Sequence, residues 1–285
     1  MTARARSLAV LAAAAGLWAI AACLDVSSPV SGVLSISFLK SATPSVVRGD
    51  SLRDTAGVPQ PLEVDAFGAN GAKLSDVVVR YYVIDTTRHL HVDSLTGFVW
   101  GDSNVVSPNG AIFARVRPAN GKGFLDTPLD TIPIVPTPDS ITRDTNFTFV
   151  FDAATPDTAS SALITPAFGV TVRGAADTVI PKYVVVFDTV RVPAPRSASA
   201  GPSVVLTSAV SAAESTLAVT DGSGHAALRL RLRIAALPAT LLSPGGVDTA
   251  VIRFRVRYYD RLQKKTILLP ASQQSDTIII TLKSK

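Results

Sequence analysis

Two rows of arginine are the residues of this sequence best placed to do chemistry. Arg229, Arg231 and Arg233 alternate with Leu230, Leu232 and Ile234, and Arg253, Arg255 and Arg257 alternate with Ile252, Phe254 and Val256. A period of two in an extended chain sends one set of side chains into a core and the other to water. On antiparallel neighbours the six guanidiniums would share one sheet face, and their forks match phosphate or carboxylate bidentately. They form a candidate anion-binding face, suited to an anionic polymer or an acidic protein partner. Like charges directly opposite one another destabilise a sheet, so the plain alternative is a solvated basic wall neutralised by Asp on flanking strands.

Other chemistry is thin. His89 and His91 are two apart, so on a strand they share a face and could hold a metal with Asp93, but no fourth ligand is evident. A solvated face or loop accounts for them, and no metal site is assigned. Asp102-Ser103-Asn104 opens like a calcium loop, but Val106 and the missing Gly and Glu break the pattern, which leaves a turn. Arg48-Gly49-Asp50 spells the tripeptide that integrins recognise, and Gly-Asp before a strand is also ordinary turn chemistry. No GxSxG or HExxH occurs, and Gly121-Lys122-Gly123 lacks the spacing of a phosphate loop. With one Cys and three His few triads can be built, so no catalytic residue and no cofactor is assigned.

Two rivals to a non-enzymatic module stay open. A hydrolase using paired Asp predicts two buried carboxylates converging in one cleft with raised pKa. A carbohydrate-binding module predicts exposed aromatics in a row, against an aromatic content of 6%. Tyr81-Tyr82, Tyr258-Tyr259 and Trp100 are read as core or edge cover.

The N-terminus carries its own chemistry. Arg4 and Arg6 precede sixteen residues, Ser7 to Ala22, that are apolar or small and uncharged, and the run closes on Ile20-Ala21-Ala22-Cys23. This is a charged segment, an apolar segment and a small-residue cleavage site. A transmembrane helix needs about 20 apolar residues. The string resembles the lipobox of bacterial lipoproteins, which implies cleavage after Ala22 and a diacylglycerol thioether on Cys23. Cys23 is the single cysteine, so no internal disulfide forms. The resemblance makes a membrane the expected partner through that lipid, with stable anchoring by two or three acyl chains. Leu24 follows the Cys and Asp25 stands one place late for inner-membrane retention, which favours the outer membrane. Loss of residues 1–22 leaves 25 basic residues against 22 acidic ones. That mild excess, in an exported chain, gives no reason to expect nucleic acid as a partner.

Elements that could position these groups are strands. Twenty acids are Asp and only Glu63 and Glu214 are Glu. Glu favours helix interiors and Asp favours turns and caps, so helices should be few. Runs of β-branched and aromatic residues predict strands at 33–39, 62–67, 77–84, 111–116, 131–135, 147–151, 163–172, 179–187, 204–206, 217–219, 226–234, 250–259 and 277–282. Asp-Thr recurs ten times, often just before an apolar run, and reads as strand-entry punctuation.

Two blocks repeat. Leu62 to Gly68 matches Leu163 to Gly169, and Ser107 to Val116 matches Asp221 to Leu230. The turn Asp221-Gly222-Ser223-Gly224-His225-Ala226 running into an alternating strand resembles bacterial immunoglobulin-like domains of the invasin and intimin type. That resemblance implies an all-β chain of two tandem immunoglobulin-like β-sandwich domains after a cleaved leader. It gives Gly224 a positive-φ turn and Ala226 a packing place beneath it, with Gly110 and Ala111 following more loosely. The expected organisation is a leader at 1–22, the lipidated Cys and a flexible tether at 23–32, sandwiches at 33–136 and 137–285, a hinge at Pro136 to Asp139, and a surface loop from Pro193 to Pro202. The function expected is a display, adhesion or structural module of the cell envelope.

Overall fold

The computed structural model describes residues 33 and 35–285 except 69, 86, 108–109, 119–122, 156–162, 212, 262 and 271–275. The leader, Cys23 and the tether lie outside the described residues. The described chain is all-β, as the scarcity of Glu implies. It forms two compact units: one holds the described residues of Met1–Phe38, Val64–Arg80 and Ala114–Pro128, the other Leu39–Glu63, Tyr81–Phe113 and Leu129–Lys285.

In the first unit β1 (Ser35–Ile36) pairs antiparallel with β3 (Ala66–Phe67). Arg115 and Val116 pair with Asp126 and Leu125, and the Arg115 guanidinium binds Asp126 through two nitrogens at 2.8 Å.

The second unit contains the sandwich. Its first sheet runs β11 (Pro138–Arg143), β13 (Phe168–Gly174), β18 (His225–Leu232) and β16 (Val204–Ser208). Its second sheet runs β12 (Phe147–Phe151), β21 (Thr277–Ser284), β19 (Val247–Asp260), β15 (Val184–Arg191) and β17 (Leu217–Val219). Side hairpins add β14 (Thr178–Val179) to β13 and β20 (Lys265–Leu269) to β19. With β11, β13, β15, β16, β18, β19 and β21 lettered A to G, the first sheet is A-B-E-D and the second contains C-F-G, which is the immunoglobulin-like arrangement. Among the described residues, every strand pairing joins residues on the same side of the Pro136-Thr137 bond.

Alternation explains the core. Leu228, Leu230 and Leu232 of β18 and Ile252, Phe254 and Val256 of β19 are fully buried, while the arginines between them are half-buried. The two rows face each other across the sandwich with Phe168, Phe187, Val170 and Val185. At the turn before β18, Gly224 has φ +83°, and a Cβ there would stand 2.8 Å from the Val172 carbonyl oxygen. Asp221 Oδ1 accepts the amides of Ser223 and His225, and Ala226 is buried opposite Val170, so both roles inferred for Gly224 and Ala226 are observed.

Differences from expectation have local causes. Pro138 and Asp139, read as hinge, begin β11, because a proline is tolerated as the first residue of an edge strand. Asp188-Thr189 lies inside β15 instead of at a strand entry, and Asp188 serves there as an ion-pair acceptor. The strands β2 (Val46–Val47), β5 (Leu90–Val92) and β6 (Val99–Gly101) are too short to show a period.

Candidate functional site

The six arginines do not share a face. β18 pairs with β13 and β16, whereas β19 pairs with β15, β20 and β21. The chain changes sheets between β18 and β19, so the two rows of arginine lie on opposite outer faces. Arg229 stands beside Thr207, Arg231 beside Val205, and Arg233 donates to Glu214 at 2.6 Å. On the other sheet Arg255 donates to Asp188, Arg253 approaches the same carboxylate at 3.7 Å, and Arg257 donates to the Thr55 carbonyl at 3.3 Å. Flanking acids therefore neutralise each row in part.

The segment from Leu39 to Glu63 packs on the sandwich at Val184, Val186, Arg257 and Tyr258. Ser45 Oγ donates to the Lys182 carbonyl at 2.8 Å. The Asp50 carboxylate, 6% exposed, accepts Arg53 Nε at 2.8 Å and Nη2 at 2.9 Å, and the Arg53 guanidinium lies 4.1 Å over the Tyr259 ring. Asp50 of the Arg-Gly-Asp string is thus buried and doubly paired, so it is not offered to a receptor. The junction encloses a cavity of about 50 Å³ lined by Thr43, Ser45, Asp50, Tyr183 and Tyr258. That volume holds a few waters and no substrate-sized molecule. Burial pushes the Tyr183 phenol up, and its hydroxyl donates to the Arg257 carbonyl at 2.7 Å.

Built on the same segment is a small sheet that the sequence does not announce. β5 pairs antiparallel with β6, and the other edge of β6 meets Ser51 and Leu52, with Leu52 N donating to the Val99 carbonyl at 2.8 Å. Gly97 makes the turn possible: its φ is +77°, and a Cβ would lie 2.8 Å from the Tyr81 ring. Tyr81 is buried and donates to the Leu62 carbonyl at 2.7 Å, which ties the hairpin to the segment beneath it. Gly97, Val99 and Gly101 point inward, so Phe98 and Trp100 share the outer face, 39% and 42% exposed. Trp100, expected as core or edge cover, is displayed instead.

Polar groups ring this face. The His91 ring stacks on Trp100 with centroids 5.5 Å apart and planes at 17°. His91 Nε2 and His89 Nδ1 each lie 3.0 Å from the Asp102 carboxylate. The two imidazoles therefore converge on Asp102, not on Asp93. Asp93 Oδ1 accepts the amides of Leu95 and Thr96 and closes the hairpin turn. Hydrogen bonds from His89 and His91 hold the Asp102 carboxyl below the usual range, and amides of Thr96 and Leu95 do the same for Asp93. At Asp85 burial pushes the other way, but donors from Thr87, Leu90 and His89 prevail and its carboxyl falls. Asp126, paired with Arg115, and Asp221, bonded by Ser223, are also lowered.

No family profile matches the chain, and no curated protein does. Among solved structures the chain is similar to the D0-D1 domain of intimin, at 13% identity over 89% of this chain and 98% of that one, with a TM-score of 0.22. It is similar to the Yersinia pseudotuberculosis adhesin InvE at 14% identity, over 89% of this chain and 59% of that one, with a TM-score of 0.30. A SusE-like surface-located polysaccharide-binding protein of Bacteroides thetaiotaomicron matches at 10% identity, over 85% of this chain and 87% of that one, with a TM-score of 0.24. At these scores the strand order itself, not the likeness, defines the fold.

Proposed function

We propose that the chain is an exported, non-enzymatic protein of the cell envelope, held to a membrane by lipid on Cys23, with the outer membrane favoured. Its modules, 33–136 and 137–285, act by surface contact, as an adhesion or display element. The observation that carries the reading is the use made of five of the twenty Asp carboxylates: Asp85, Asp93, Asp102, Asp126 and Asp221 are bonded by amides, hydroxyls, imidazoles or a guanidinium and held below the usual carboxylate range. Groups lowered in this way are poor general acids near neutral pH, whereas an Asp-dependent hydrolase needs one carboxyl raised. Phe98 and Trp100 are exposed and the arginines are half-buried on the outer sides of their strands, where their outer atoms can meet a partner's surface.

Cells expressing the full chain and fed radiolabelled palmitate provide the test. Label should enter the wild-type protein and be absent from Cys23→Ser, with the labelled form lacking residues 1–22. Unlabelled, soluble wild-type protein would refute the anchor. The arginine rows are separable sites for an anionic envelope polymer or an acidic protein. Changing Arg229, Arg231 and Arg233 to Ser, or Arg253, Arg255 and Arg257 to Ser, should weaken salt-sensitive binding to envelope fractions in only one of the two variants.

A further inference from the structure

We propose that the open face bearing Trp100 and Phe98 is a binding platform for a neutral polysaccharide chain. The inference rests on reading the protein as a binding module, and names the ligand class and the place.

Three features of the face fit a sugar. First, two exposed aromatic side chains, Phe98 just before β6 and Trp100 within it, stand two residues apart with buried Val99 between them, so consecutive rings of a linear glycan can meet both. The C–H face of a pyranose is apolar and is attracted to the electron-rich face of an indole or phenyl ring. Second, the hydrogen-bonding rim is mixed. To bond an ionised Asp102, neutral His89 must carry its proton on Nδ1 and neutral His91 on Nε2. That leaves His89 Nε2 and His91 Nδ1 as acceptors, beside the Trp100 indole N–H as a donor. Sugar hydroxyls both donate and accept, so they can use all three. Third, two carboxylates stand near the aromatics: Asp93 N donates to the Phe98 carbonyl, and Asp102 is bonded by His91, which stacks on Trp100. Uronates and sulfated sugars are disfavoured there by like charge, and a neutral glycan is not.

Preorganisation is built into the scaffold. Asp102 N donates to the His89 carbonyl at 3.0 Å, and Gly49 N donates to the Asp102 carbonyl at 2.9 Å, which fixes the carboxylate that orients both imidazoles. The His91 ring in turn holds the indole plane. A ligand meets a face whose rotamers are already restricted, which lowers the entropy lost on binding.

The experiment uses the full chain in a polyoxyethylene detergent, titrated calorimetrically with cellohexaose, chitohexaose and mannohexaose. Trp18 and Trp100 are the two tryptophans of the sequence, and the proposed cleavage after Ala22 removes Trp18, so the indole fluorescence of the lipidated protein reports on the platform alone. At least one oligosaccharide should bind saturably, perturb that fluorescence, and keep its affinity within about threefold when salt is raised tenfold. Trp100→Ala should weaken binding about tenfold or more, and Trp100→Phe, which keeps an aromatic face, by less. If none of the three binds at millimolar concentration, the proposal fails. It also fails if binding leaves the Trp100 fluorescence unchanged, survives Trp100→Ala, or is abolished by salt. Should Trp100→Ala not fold, the wild-type fluorescence and Trp100→Phe still decide. Palmitate labelling at Cys23 is independent of all these outcomes, so loss of the glycan site leaves the anchored-module reading standing, and the reverse.

Discussion

The sandwich of residues 138–284 and the small sheet at residues 89–102 hold their shape in different ways. In the sandwich, strands of up to 14 residues, alternating in β18 and through the middle of β19, bury a continuous apolar core between two sheets. The small sheet has strands of 3 residues, and its order comes from buried Tyr81, a glycine turn and carboxylates that collect amides and imidazoles. Area burial scales with strand length, so the sandwich resists change through its core. The small sheet depends on single polar contacts, and it can therefore leave aromatic side chains on its outer face.

This contrast sets an order of expected effects. Phe254→Ala, deep in the sandwich at 1% exposure, should lower global stability by about 3–5 kcal/mol in urea unfolding. A loss below about 1 kcal/mol would show that the core is not continuous. Arg53→Ala strands the buried Asp50 carboxylate and should cost about 2–3 kcal/mol, with fast amide exchange confined to residues 43–57. Adding Asp50→Asn should recover part of the loss, since an amide tolerates burial better than a lone charge.

Gly97→Ala introduces both a left-handed alanine and a contact with Tyr81, and should cost about 1–3 kcal/mol. Limited proteolysis should then cut first near residues 93–98, with the sandwich intact. Gly245→Ala, with φ +75° and nothing within 4 Å, should cost less.

Acid should act on the small sheet before the sandwich. Asp85, Asp93 and Asp102 have folded pKa values below the unfolded value of about 3.9. Their stabilisation is therefore complete above that value and is lost as pH falls through the lower folded values. Exchange protection at Thr87, His89 and Leu90 should fall below about pH 4 while that of β18 and β19 persists. The smallest effect is expected at Arg233→Ser, whose exposed pair with Glu214 is worth about 0–1 kcal/mol.

The alternation in β18 and β19 was legible because each strand's inward and outward sides are written every second residue. β4 (Val77–Ile84), β12 and β17 appear with the bounds that composition predicts. The Asp221-to-Ala226 turn was equally local. Arginine rows were visible, but their separation was not, since periodicity fixes which side a residue takes and says nothing of which sheet its strand joins. Trp100 carried one local signal: Gly97, Val99 and Gly101 alternate with Phe98 and Trp100, small or β-branched residues inward and aromatics outward.

By itself the sequence determined an all-β chain, the inward and outward sides of its long strands, the glycine turn at Gly224 and the chemistry available to Cys23. Only the tertiary structure decided that His89 and His91 meet on Asp102, that Asp50 is consumed by Arg53, and that the two arginine rows face apart. Each of these is a contact between residues distant in the chain or a choice of sheet, fixed by which apolar faces bury each other, and no short-range pattern encodes that pairing.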